Sequence, residues 1–282
     1  MKKEIFLLLL FLLIPLSSSL YGEGRGNLIF RPYFWNPMVE GHGVIVKTNQ
    51  PNSFFTLKEL GLGTPDWVRN IDQAFDQAMG FDTILRGEKY NINISGFHTQ
   101  DKGAVVLQEP LSLGDSNFAL GTAVNTSFEI EMLDVSLEFP YWGSSNTMGF
   151  GFLIGVKIFR FDLQVNSTSQ REEEGRDATL PYMGLTFTLP LFKFLTFYAS
   201  IQGLSSELNK YAFSVDEYYY VEGKIGIQVH FGDFLTAGLE WDKMGIYFKK
   251  EDSQENSELT FKMGGDTQNF QFGFKFYIEF RF

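Results

Sequence analysis

The chain contains three histidines, His42, His98 and His230, and a hydrolase or acyltransferase would draw its general base from this short supply. His98 is flanked by Ser95 and Asp101, the residue types of a nucleophile and an orienting acid. A lipid-modifying site near His98 is therefore the enzymatic alternative. No hydrolase motif surrounds it, however, and a histidine at a strand end reads more simply as a polar rim residue, so no catalytic residue is assigned. Glu172, Glu173 and Glu174 form an acidic run that reads as a solvated loop. The carboxylates from Asp252 to Glu258 approach calcium spacing but lack the glycine that a calcium loop needs. Gly61-Leu62-Gly63 lacks the third glycine of a nucleotide fingerprint and reads as a turn. No metal site and no cofactor is expected.

A second set of charged residues is more regular. Glu129, Glu131, Asp134, Glu138, Arg160, Asp162, Glu222, Lys224, Glu240, Asp242, Lys275, Glu279 and Arg281 all alternate with apolar residues. Side chains alternate across a strand, so these charges share a face opposite the apolar one. Both signs are present. A lumen lined in this way is either a salt-bridged core or a wet channel that favours cations.

The elements that must carry these charges are strands. At the C-terminus Phe270, Phe272, Phe274, Phe276, Ile278, Phe280 and Phe282 occupy one face, and Gln271, Gly273, Lys275, Tyr277, Glu279 and Arg281 the other. The same period runs through Tyr219–Phe231, Leu235–Asp242 and Leu185–Leu189. Ten strands are expected, at 27–35, 41–48, 84–98, 120–139, 147–164, 179–190, 193–205, 214–230, 233–249 and 257–282, with eight to twelve compatible with the pattern. Two of them change phase: Phe150 to Ile158 is apolar at even positions but Phe159 to Val165 at odd ones, and Phe128 to Met132 gives way to Leu133 to Phe139. A bulge at each change would restore one continuous apolar face. Tyr211, Tyr218, Tyr219, Tyr220 and Trp241 suit an interfacial aromatic girdle.

Residues 1–19 have the charged, apolar and small-residue order of a signal peptide, with cleavage as late as residue 22. The barrel then occupies 23–282. The formal charge is -11, which argues against nucleic acid as a partner. The chain carries 31 Phe and no Cys, and no apolar stretch after the signal is long enough for a membrane helix. A closed barrel reconciles these facts, since it satisfies all backbone polar groups between strands and meets lipid with alternate residues. The expected fold is all-β, a transmembrane antiparallel up-and-down β-barrel in the outer membrane.

One segment breaks the pattern. Thr64 to Gly80 carries a cap, a first-turn proline and a terminal glycine around Trp67, Val68, Ile71, Phe75 and Met79 at helical spacing. It predicts a short helix over 65–79 on the periplasmic side, either packed on the rim or acting as a plug.

The terminal strand, ending Phe276, Ile278, Phe280, Phe282, resembles the assembly signal of bacterial outer-membrane β-barrels. Phe34-Trp35-Asn36-Pro37, Leu60-Gly61-Leu62-Gly63 and Leu180 to Leu185 are similar to a loosely defined group of uncharacterised small barrels. The resemblance implies the fold, outer-membrane lipid and the barrel-assembly machinery as partners, and no activity. The leading functional expectation is a structural or passive pore role for small solutes. The alternatives are the lipid enzyme near His98 and a surface-binding protein acting through loops 165–178 and 250–256.

Overall fold

The computed structural model describes residues 28–35, 38–47, 53–62, 78–87, 89–113, 116–142, 148–205, 217–251, 255–264 and 274–282. The signal peptide, Trp67, Val68, Ile71 and Phe75 lie outside the described residues, as does Tyr211. The strands in chain order are β1 (Leu28–Trp35), β2 (Met38–Lys47), β3 (Ser53–Thr56), β4 (Ala78–Arg86), β5 (Asn91–Val106), β6 (Leu111–Leu113), β7 (Ser116–Phe118), β8 (Ala123–Trp142), β9 (Gly149–Asn166) and β10 (Arg171–Phe192). They continue with β11 (Leu195–Ser205), β12 (Glu217–Phe231), β13 (Leu235–Glu251), β14 (Glu255–Gly264) and β15 (Phe274–Arg281).

These close into an antiparallel barrel of ten staves. The wall runs β1, β4, β5, β8, β9, β10, β11, β12, β13, β15 and back to β1. Higher up, β13 pairs with β14 and β14 with β2, so β1 and β2 are two halves of one ascending stave, and β14 and β15 of one descending stave. The seam closes where the Phe282 N–H donates to the Leu28 carbonyl at 2.9 Å. Leu28 and Phe282 thus share the lower rim, which in such barrels is the periplasmic one, with short turns.

The count of ten agrees with the sequence expectation, but the second stave differs. Residues 41–48 belong to the first stave, and β3 with β4 make the second. Both of these run downward; residues 63–77, on which most of the expected helix falls, lie outside the described residues. Met79, expected at the end of a helix, is in β4 opposite His98, with its side chain exposed. The period-2 demand of the wall overrides the helical spacing there. The expected 165–178 loop is also mostly strand: Glu172, Glu173 and Glu174 pair with Val165, Gln164 and Leu163. Only 167–170 turn.

Neither expected bulge is present. The pairing of β8 and β9 runs unbroken from Asn125↔Asn166 to Pro140↔Gly151, including Met132↔Phe159 and Leu133↔Ile158. The phase change in the sequence is therefore a change in what each face meets. Below it, Val135, Leu137, Phe139, Phe152, Ile154 and Ile158 are exposed on the outside. Above it, Phe128, Ile130, Met132, Phe159, Phe161, Leu163 and Val165 are buried inside the lumen. The strands continue far past the roughly 9–11 residues that cross a bilayer, β8 having 20, β9 18 and β10 22. Once the wall leaves the lipid, its apolar residues gain nothing by pointing outward and pack together inside.

Candidate functional site

The lumen is filled in two layers. The upper layer is an apolar core. Phe161 stacks on Phe128, Phe159 and Phe248 at ring-centroid distances of 6.4, 5.7 and 5.5 Å, and Trp35 meets Phe97 edge-on at 5.2 Å. Two loop segments complete it. After β3, Thr56 and Glu59 cap a turn reciprocally: each backbone N–H donates to the other's side chain at 3.2 Å. The turn carries Leu57, Leu60 and Leu62 into the core, all buried. Thr126 Oγ1 anchors it from β8 by donating to the Leu60 carbonyl at 2.7 Å. Gly61 turns there with φ of 72°, and its carbonyl leaves no room for a Cβ at Gly103, which would lie 2.5 Å away. From the other side, the β6–β7 hairpin buries Leu111, Leu113 and Phe118 and is tied to the wall by Ser116 Oγ donating to Glu172 at 2.9 Å.

The lower layer is ionic. Lys157 Nζ reaches Asp134 at 2.7 Å and Glu222 at 3.2 Å, and Lys224 Nζ reaches Glu222 at 3.3 Å and Asp242 at 3.8 Å. Lys275 Nζ bridges Asp82 at 3.3 Å and Glu240 at 3.5 Å. Nearer the rim, Arg31 and Arg281 hold the two oxygens of Glu279 at 2.6 Å each. Hydroxyls and an amide complete the network: Tyr182 donates to Asp134, Tyr220 and Gln202 to Glu222, and Tyr198 to Glu240. The tyrosine rings also face cations, with Lys157 5.2 Å from the Tyr182 centroid and Lys275 3.7 Å from that of Tyr33. Glycine makes room for the rings. A Cβ at Gly238 would lie 2.1 Å from Tyr277 Cζ, and one at Gly80 2.3 Å from Tyr33 Cζ.

Of the charges expected in the lumen, Asp134, Glu138, Glu222, Lys224, Glu240, Asp242, Lys275, Glu279 and Arg281 point inward. Glu129, Glu131, Arg160 and Asp162 do not. They lie on the outer wall in the part above the lipid, where the Arg160 side chain is 60% exposed and pairs with Asp162 at 2.9 Å. The expectation assumed bulges, and without them these positions keep the outward phase of Leu133 and Ile158. Tyr218 and Tyr220 likewise point inward, buried, and leave Tyr219 on the outside. The spacing did not single out Arg31, Asp82 and Lys157. Lys157 was legible, since it lies between the outward Val156 and Ile158.

His98 also faces outward. Its Nε2 is 2.8 Å from Glu129 Oε1, and with Glu131 it places ligand atoms within 4.8 Å of one another, a grouping able to hold a metal ion. Ser95 and Asp101 are on the opposite, inward face of β5. The strand alternation separates the residues that a nucleophilic site would need together. The assembly-signal residues Phe276, Ile278 and Phe282 are exposed on the outside of the terminal stave, and Phe280 is half-buried there.

No family model matches the chain, and no curated protein does. Among solved structures it is similar to the outer membrane protease OmpT from Escherichia coli, with TM-score 0.52 and 8% identity over 91% of this chain and 97% of that one. It is also similar to the translocator domain of the autotransporter NalP from Neisseria meningitidis, with TM-score 0.42 and 10% identity over 94% and 92% of the two chains. A further likeness is to the outer membrane protein OprG from Pseudomonas aeruginosa, with TM-score 0.39 and 10% identity over 93% and 98%. At such identities the first likeness speaks for the fold and the other two carry no argument. The fold is that of an outer-membrane β-barrel, and an apolar exterior around a charged interior is what that membrane requires.

Proposed function

We propose that this protein is a closed outer-membrane barrel that acts from the stretch of wall it raises above the lipid, as a surface-binding module. The observation that carries this reading is the inversion of polarity along β8 and β9 with no break in register. It closes the lumen with a packed apolar core and turns Glu129, Glu131, Arg160, Asp162 and Asp177 outward into water. A diffusion pore needs the reverse, a hydrated path through the middle. The exposed wall carries more acid than base, which suits a cationic ligand.

Refolding the mature barrel into a planar lipid bilayer tests the closed lumen. The expected record is flat once insertion has been verified. Regular conductance steps would return the passive solute pore to first place. Biotinylation of Lys102 on intact cells tests the raised wall, and labelling is expected only if that wall faces the medium.

A further inference from the structure

The ionic layer is one charge out of balance. Among the described residues its carboxylates are Asp82, Asp134, Glu222, Glu240, Asp242 and Glu279, and its cations are Arg31, Lys157, Lys224, Lys275 and Arg281. Arg86 and Glu138, facing inward at the lower mouth through Asn91, add one of each sign and leave the difference unchanged. Five of the six carboxylates are buried and Asp82 is part-buried, and an uncompensated charge held away from water is costly.

The imbalance has a location. Asp242 is 3% exposed, and its Oδ1 accepts no hydrogen bond. Among the described residues its other oxygen has only the distant Lys224 contact at 3.8 Å. Asp242 also lines a small cavity at the boundary between the two layers. That cavity has room for about one water molecule.

We propose that Asp242 is the binding site for one small cation, a proton or an alkali ion, which supplies the missing positive charge of the layer. A water molecule alone would satisfy the oxygen but leave the charge. The size of the cavity excludes an organic cation. The groups that face Asp242 define the local field: Glu222 and Lys224 from β12, Lys157 from β9, Asp82 from β4, Lys275 from β15, Tyr33 from β1 and Glu240 from its own strand. Of the carboxylates among them, Glu222 and Asp82 each have a lysine within 3.3 Å. Glu240 Oε1 also accepts no hydrogen bond, but it keeps Lys275 at 3.5 Å, and its partner oxygen accepts from Tyr198.

The test is thermal unfolding of the full mature barrel in micelles, followed by circular dichroism at matched ionic strength. Sodium, potassium and choline chlorides are compared between about pH 6 and about pH 9. An alkali site raises the midpoint by about 3 °C or more in sodium or potassium relative to choline. A proton site instead lowers the midpoint by a similar amount as pH rises, whichever salt is present. Asp242→Asn removes the response in either case, and Glu173→Gln on the outer wall retains it. Should Asp242→Asn fail to fold, Asp82→Asn brings the layer to balance by another route and must also abolish the response. A wild type that ignores both salt and pH overturns the proposal, as does an Asp82→Asn or Asp242→Asn variant that responds like wild type.

Discussion

The upper and lower halves of the wall are built from the same strands with the same alternation, yet they solve opposite problems. Near the periplasm, lipid surrounds the barrel, so Val135, Leu137 and Ile154 face out and the lumen is left to Lys157, Glu222 and Lys224. Higher up, water surrounds it, so Glu129 and Arg160 face out and Phe159 and Phe161 fill the lumen. The change occurs between Met132 and Asp134 on β8, between Phe159 and Lys157 on β9, and between Met244 and Asp242 on β13. One level around the barrel thus separates a soluble-protein core from a membrane-protein interior. Stability in the two halves should accordingly respond to different substitutions.

The largest effect is expected in the ionic half. Lys157→Met leaves Asp134 and Glu222 without their shared cation, and urea unfolding should show a loss of about 3–5 kcal/mol. A loss near zero would mean that water reaches this layer. In the apolar half, Leu60→Ala should cost about 2–4 kcal/mol. Amide exchange should place that loss in the upper strand ends and the 57–62 turn, with the lipid-facing band still protected. Uniform loss of protection would show that the two halves unfold together.

The height of the boundary can be sharpened on the outer face of β8. Val135→Arg is expected to destabilise the inserted barrel by about 2–4 kcal/mol, and Ser127→Arg, farther up, by much less. Equal penalties would place lipid along the whole wall and undo the comparison. The smallest effects belong to exposed groups already in water. Arg160→Ala should change stability by at most about 0.5 kcal/mol. His98→Ala should leave the lipid composition of the host membrane unaltered, since Ser95 and Asp101 lie across the wall from it.

Much of this was legible in the chain. The alternation of Phe274 to Phe282 with Lys275, Tyr277, Glu279 and Arg281 identified the terminal stave, its two faces and the compartment. The inward charges of β12, β13 and β15 followed from the same period. The phase changes at Met132 and at Ile158 are also visible, but the assumption that the apolar face meets lipid along its whole length turns them into bulges. That assumption misplaced Glu129, Glu131, Arg160 and Asp162. The span 165–178 reads as a loop because its charges suit water, but it is mostly strand: Arg171 and Glu173 face water, whereas Glu174 and Arg176 pair with each other on the inner face.

The sequence by itself determined that the chain forms long period-2 strands with one apolar and one polar face at every level, ending in an aromatic stave. Alternation is a local property, and any strand that separates two environments must show it. Which environment lies on which side was decided only by the closed barrel. An apolar face is equally content against lipid or in a packed core, and only the register around the whole wall shows where the first gives way to the second.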